Sequence, residues 1–260
     1  MRPAFDSGRS IDWGSTSPDY ALYRPGPPDE LYTRLQALGV GLPGQRILDL
    51  GTGTGVVARA LARRGAIVAA IDIAPAQVKA ARHLAELDNL TIDFHVAPAE
   101  EPPFADHQFD VATANQCFLY FDRARTVAAL RRVLVPAGRL VTSHFSWLPK
   151  VDPIAAASET LILKFNPDWQ AAGYDGRVSP LPNWLPPDVV VEGFFFFDID
   201  VPFSRDAWRG RVRASRGVGA SLTPDEVDAF DQEHAALLAT IAPPEFTVTH
   251  RVGAHIVRFP

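Results

Sequence analysis

Residues 47–56 read ILDLGTGTGV, with Gly51, Gly53 and Gly55 at every second position, Thr52 and Thr54 between them, and Asp49 two residues ahead. Glycine at this density is costly unless the backbone must adopt φ > 0 or lie close against another group. A turn of this kind between a strand and a helix aims backbone N–H groups and a helix N-terminus at a ligand. Asp72 lies 21 positions after Gly51, the spacing at which nucleotide-binding folds place a carboxylate for the ribose hydroxyls. That task needs an acceptor with two oxygens. The dinucleotide fingerprint G-x-G-x-x-G is not completed, because its third glycine falls on Val56. Other readings stay open: Asp49 as the cap of a turn, Asp72 as the N-cap of the next helix. His144 is the best-placed general base, with a core or hydrogen-bonding histidine as the alternative. Cys117 reads as a small apolar filler, not a nucleophile.

These residues must be positioned by an alternating pattern. Strands are expected at 46–50, 67–71, 91–96, 109–115 and 138–147, and helices at 56–64, 75–87 and 123–134. Short apolar strands alternating with helices of about ten residues imply right-handed βαβ units and a parallel sheet covered on both faces. Asp29 reads as the N-cap of a first helix, ELYTRLQALG. After residue 147 the rhythm breaks into a proline- and aromatic-rich stretch with one helix at 153–165. A strand buried on both faces is expected at 190–201, helices at 205–216 and 224–241, and a last strand at 246–259. The expected fold is α/β: a doubly wound, Rossmann-like seven-stranded sheet, mostly parallel, closed by an antiparallel C-terminal hairpin, with a lid insertion. The expected organisation is one domain, with an N-terminal cap (1–44), a cofactor-binding core (45–147), a substrate-covering insertion (148–190) and completing strands and helices (191–260).

The ordered set of LDLGTGTG, Asp72, APAEEPPFADHQFDVATANQCFLYFD (97–122) and RRVLVPAGRLVTSHF (131–145) resembles class I S-adenosylmethionine-dependent methyltransferases across residues 46–147. It is similar to small-molecule enzymes with a type 11 methyltransferase domain. The resemblance implies S-adenosyl-L-methionine as cofactor. It also implies that Gly51, Thr52, Gly53 and Gly55 lie against the amino-acid half of the cofactor, with Asp49 near its ammonium. Asp72 would hold the ribose, Ile73 would flank the adenine, and Ala99 with Glu100 would read the base; Glu100 could also be a solvated loop charge. Asn115 and Gln116 would line the methyl-transfer channel. Tyr23, with Tyr20, would fold over the cofactor or pack on the first helix. Pro98 departs from the family's usual acidic residue, and Leu119-Tyr120 from its usual His-Trp, so no role transfers to that pair.

Trp147, Trp169, Tyr174 and Trp184 offer flat apolar surface for an acceptor or a lid core. Arg205, Arg209, Arg213 and Arg216 recur at helical spacing, as an anion clamp or a solvated face. The expected function is methyl transfer to an organic acid, a phenol or a natural-product intermediate. The alternatives are a non-catalytic cofactor-binding regulator or partner subunit, and a nicotinamide-dependent oxidoreductase. An open cavity between Asn115, His144 and the insertion would favour the enzyme, a plugged channel the regulator. A net charge of −5 argues against a nucleic-acid partner. No segment approaches the ~20 apolar residues of a membrane span. One cysteine gives no metal-binding signature. The segment MRPAFDSGRSIDWG lacks an export core, so a cytoplasmic protein is expected.

Overall fold

The computed structural model describes residues 6–8, 11–12, 19, 22–23 and 25–260. In chain order the elements are α1 (Asp29–Ala37), β1 (Arg46–Leu50), α2 (Val56–Arg63), β2 (Ile67–Asp72), α3 (Pro75–Leu87), β3 (Asp93–Val96) and β4 (Phe109–Asn115). They continue with α4 (Arg123–Val133), β5 (Leu134–Trp147), α5 (Pro153–Phe165), β6 (Val190–Ser204), α6 (Arg205–Arg213), α7 (Pro224–Ile241) and β7 (Glu245–Arg258). One sheet runs β3-β2-β1-β4-β5-β7-β6. Strands β1 to β5 pair in parallel, and β7 is antiparallel to both of its neighbours. The expected antiparallel pair therefore closes the sheet, with its two strands joined through α6 and α7.

Strand alternation explains why both faces are covered. Ile47 of β1 belongs to one buried cluster, with Leu31, Val57, Leu61 and Val78. Its neighbours Leu48 and Leu50 belong to the other, with Val127, Leu130, Leu140 and Val257. The first cluster extends to Ile162, Trp208, Phe230 and Leu238 of α5, α6 and α7. No helix among the described residues is long and apolar enough to cross a membrane.

Four sequence expectations are corrected. Helix α1 begins at Asp29, and Pro28 holds the cap position without a side-chain bond. Strand β5 begins at Leu134, because residues 135–138 bulge out of its register with β4. Helix α6 ends at Arg213, so Arg216 lies on the following turn. Strand β6 is an edge strand, not one buried on both faces; Phe196 is 48% exposed. Its phenylalanine row is shielded on both faces by guanidinium groups and a ring. Arg34 lies over Phe195 and Phe197, Arg251 lies over Phe196, and His255 stacks on Phe194.

Candidate functional site

The strand order reverses between β1 and β4, the switch point at which parallel α/β sheets leave a crevice at the strands' C-terminal ends. The glycine turn sits there. Gly51, Gly53 and Gly55 all adopt φ between 56° and 76°, a region that side chains disfavour. Thr52 N–H donates to Ile71 O (2.9 Å) and Gly53 N–H to Asp72 Oδ2 (2.9 Å), pinning the turn to β2. A Cβ on Gly51 would stand 2.9 Å from Cys117 Sγ and 3.1 Å from Phe121 Cζ. At Gly55 it would meet Ala81 and Phe94 instead. Gly55 therefore serves helix packing and does not border the cavity.

A cavity of about 1070 Å³ extends from this turn toward the insertion and α6. Gly51, Gly53, Asp72, Ile73 and Ala99 border one end; Asn115, Gln116 and His144 border its middle. Asp72 Oδ1 also accepts from Ala74 N–H at 2.9 Å, and burial raises its pKa above the ordinary carboxylate value. Each of its oxygens keeps a lone pair for a hydroxyl. Asn115 Oδ1 accepts from Ser143 Oγ (2.9 Å). Gln116, at φ 63°, donates its backbone N–H to Ser143 O (2.8 Å) and its amide to Phe145 O.

Besides Gly55, four predicted site residues lie off the cavity wall: Asp49, Thr52, Glu100 and Tyr23. Asp49 is 1% exposed, and its carboxylate accepts from Thr52 Oγ1 and Thr113 Oγ1, both at 2.6 Å. Burial pushes its pKa up to about 6. It braces the turn from beneath, and Thr52 is its partner in that brace. Glu100 is buried, not solvated, and accepts from Asp122 N–H at 2.9 Å. Tyr23 packs on α6: its ring lies where a Cβ on Gly210 would stand. Tyr20 lies outside the described residues. Cys117 does border the cavity; it donates to Leu50 O at 3.1 Å, and burial drives its thiol pKa well up, consistent with an inert filler.

The far end of the cavity is built from the insertion, β5, β7 and α6. Trp147, Trp169, Tyr174 and Trp184 all border it. Burial, then the neighbouring His255, lowers the His144 pKa, so the ring is neutral at neutral pH. His255 Nε2 lies 2.7 Å from Ser179 O, which fixes that nitrogen as its N–H donor. Of the arginine row, Arg205 caps Ala242 O, Arg209 pairs with Asp231, and Arg213 bridges Asp19 and Asp231. Only Arg216 of that row reaches the cavity. Sequence reading missed Arg211, Ser215, Glu159 and His255. The available signal was an arginine on the same helix face as Trp208, opposite the row.

A doubly wound sheet with a left-handed glycine turn, an acidic residue ending β2 and a deep crevice beyond defines a nucleotide-cofactor enzyme fold. The methyltransferase domain family matches residues 48–142. A ubiquinone biosynthesis O-methyltransferase from Xanthomonas campestris pv. campestris is 31% identical over 212 residues, covering 78% of this chain and 83% of that protein. A demethylmenaquinone methyltransferase from Thermus thermophilus is 43% identical over 109 residues, covering 41% of this chain and 50% of the relative. Against that relative and a Cereibacter sphaeroides ubiquinone biosynthesis O-methyltransferase, this chain spans about half of the partner's length. The solved structure of a protein from Anaeromyxobacter dehalogenans, assigned as a type II methyltransferase, shares the fold. Its TM-score is 0.60 at 24% identity, over 92% of this chain and 98% of that one. The chain belongs to the class I S-adenosylmethionine-dependent methyltransferases.

Proposed function

We propose that this protein transfers a methyl group from S-adenosylmethionine to a small organic acceptor: an organic acid, a phenol or a natural-product intermediate. The observation that carries the reading is the cavity that the described residues leave open, which joins the glycine turn and Asp72 to His144 and the aromatic wall. A regulator that had lost its acceptor channel would not need that second end. Relatives named as a ubiquinone biosynthesis O-methyltransferase and a demethylmenaquinone methyltransferase support a small organic acceptor.

When bound, the cofactor supplies an electrophilic methyl group on a sulfonium. The residues present fit it. Gly51 and Gly53 present bare backbone at the cavity edge, and the Asp72 carboxylate borders the cavity with acceptor capacity for two ribose hydroxyls. Ile73 and Ala99 would flank the base, with the Ala99 backbone reading it. Asp49 and Thr52 act indirectly, by holding the turn. Asn115 and Gln116 are fixed by bonds to β5 and would orient the acceptor. His144 would take the proton of an acceptor hydroxyl, since burial keeps its ring in the basic form. Orientation of the acceptor beside the methyl supplies much of the rate in a displacement of this kind. The insertion (148–190) would cover the acceptor, between the core (45–147) with its N-terminal cap (1–44) and the completing elements (191–260).

Calorimetric titration with S-adenosylhomocysteine tests the reading. Wild type should bind, and Asp72→Ala should bind at least about ten-fold more weakly, the value of one lost pair of charge-assisted hydrogen bonds. Absence of binding by wild type overturns the reading at its first step. Transfer of labelled methyl to a panel of phenols, acids and amines then selects the acceptor.

A further inference from the structure

The sheet face at the acceptor end carries two histidines on neighbouring strands. Cross-strand register puts Thr142 of β5 opposite His255 of β7, and His144 opposite Gly253. Residues two apart on a strand share a face, so Thr142, His144 and His255 lie together, and all three border the cavity. His144 and His255 are diagonal neighbours, a relation that sets Cα atoms about 7–8 Å apart.

The two rings are held differently. No hydrogen bond among the described residues fixes the His144 ring. His255 is fixed twice: its Nε2–H donates to Ser179 O of the insertion at 2.7 Å, and its ring stacks on Phe194 with centroids 4.8 Å apart. Val178, beside Ser179, packs over the same strand, where a Cβ on Gly253 would touch it at 3.5 Å. Burial keeps the His255 ring neutral at neutral pH. With the proton on Nε2, the lone pair is on Nδ1. Nδ1 makes no hydrogen bond among the described residues, yet it is not sealed by protein atoms as His234 Nδ1 is. Its lone pair is open to the cavity that the ring borders.

A nitrogen that only accepts calls for a ligand that donates. The hydroxyl that is methylated has one proton, and His144 takes it, so His255 needs another. Resting on the methyltransferase reading, we propose that His255 Nδ1 is a specificity contact, accepting a hydrogen bond from a second hydroxyl or amine of the substrate. The substrate class is a small molecule with two hydrogen-bond donors a ring-sized distance apart, one methylated and one kept. Ser179 O selects the tautomer, so the contact is complete only with the insertion docked on β7.

The test uses matched pairs that differ by one donor: catechol, resorcinol and hydroquinone, each against its monomethyl ether. Each is titrated by calorimetry into the protein alone and into the protein saturated with S-adenosylhomocysteine. At least one diphenol should bind about three- to ten-fold more tightly than its ether, the value of one hydrogen bond. His255→Leu should erase that ratio. His255→Gln, which keeps a donor for Ser179 O and an acceptor for the ligand, should keep part of it. Melting temperature and S-adenosylhomocysteine affinity identify a variant that has simply misfolded. Wild type then decides by isotope-labelled histidine nitrogen resonances, where His255 Nδ1 should shift with the diphenol and not with the ether. If no diphenol outbinds its ether, or if His255→Leu weakens both alike, the ring only holds the insertion and the contact is wrong. Failure of S-adenosylhomocysteine to bind, with the diphenol preference intact, would instead sink the methyltransferase reading.

Discussion

At the cofactor end of the cavity, Gly51, Gly53, Asp72 and Ile73 come from one strand-turn-helix-strand stretch, and their geometry is held by backbone hydrogen bonds. At the acceptor end, His144, Glu159, Trp169, Arg211, Ser215 and His255 come from five separate segments, and side chains hold one another. The first end depends on where the chain can go; the second depends on what happens to meet. Substitutions should therefore act differently at the two ends. Backbone changes should abolish cofactor binding, whereas side-chain changes should alter turnover or acceptor choice with the cofactor still bound.

The largest effect belongs to Gly51→Ala. At φ 58°, with a Cβ 2.9 Å from Cys117 Sγ, the substitution adds both backbone strain and overpacking, each of about 1–3 kcal/mol. The unfolding free energy should fall by about 4 kcal/mol in urea titration, and S-adenosylhomocysteine affinity should fall by at least about ten-fold as the turn shifts. The ranking of acceptors by relative turnover should change by less than about three-fold. Equal losses at both ends would show that the cavity behaves as one unit and would break the comparison.

His144→Phe should do the reverse. A positioned base contributes about 100-fold or more to kcat, so turnover on a hydroxyl acceptor should drop by at least that factor while S-adenosylhomocysteine affinity holds. The His144 pKa lies below the ordinary histidine value, and the base form is the active one. Wild-type kcat should then be flat above neutrality and fall as pH drops through a value below about 6.5. Loss of that acid limb in the variant ties it to His144; an unchanged profile removes the base.

The same contrast explains what could be read from the sequence. The glycine turn, Asp72 and all seven strands were legible, because each rests on local rules: φ > 0 demands glycine, and apolar runs alternate with amphipathic helices. Gly55 and Asp49 were assigned to the ligand because the same motif serves two purposes, and sequence does not separate contact from bracing. The edge position of β6 was hidden because four consecutive phenylalanines look like a buried strand. In the fold, Arg34 and Arg251 cover them from distant parts of the chain. The arginine row was visible, yet the arginine that borders the cavity with Trp147, Arg211, was not in it. Which helix face turns inward depends on α7, whose Asp231 draws Arg209 and Arg213 outward.

Two buried titratable groups extend the comparison to pH. Asp49, beneath the cofactor end, holds its proton up to about 6; unfolded, it loses it near 3.9. Its contribution is complete at low pH and is lost as pH rises through about 6. His234, behind the acceptor end, has its pKa pushed down to about 4 by burial. Ser158 Oγ donates to Ile154 O, so His234 Nε2–H donates to Ser158, and the buried Nδ1 has no place for a second proton. Unfolded histidine charges near 6.5, so the His234 contribution is complete above that value and is lost as pH falls toward about 4. The two signs oppose. His234→Gln should leave the gap in unfolding free energy from wild type growing by about 2 kcal/mol between pH 4 and 6.5, by urea titration. A gap independent of pH would mean that His234 is solvated.

The smallest effect concerns left-handed backbone. At the cofactor end glycines occupy those positions; in the segments that build the acceptor end, Gln116 and Ala137 do, at φ 63° and 61°. Gln116 recovers the cost through its amide bond to Phe145 O. Ala137 has a methyl group and nothing to gain by it. Its bulge sets the register that carries Thr142, His144 and Ser146 along β5 to the cavity. Ala137→Gly should remove an αL penalty of about 1 kcal/mol while loosening the unfolded chain by somewhat less. A net stabilisation of about 0.5 kcal/mol, read as a shift in urea midpoint at constant slope, is expected, with turnover unchanged. Gln116→Gly should destabilise instead, because the lost amide bond outweighs the relieved strain. If both glycine variants stabilise, the Gln116 side chain holds nothing at the acceptor end, and the distinction between a backbone-built and a side-chain-built half weakens there first.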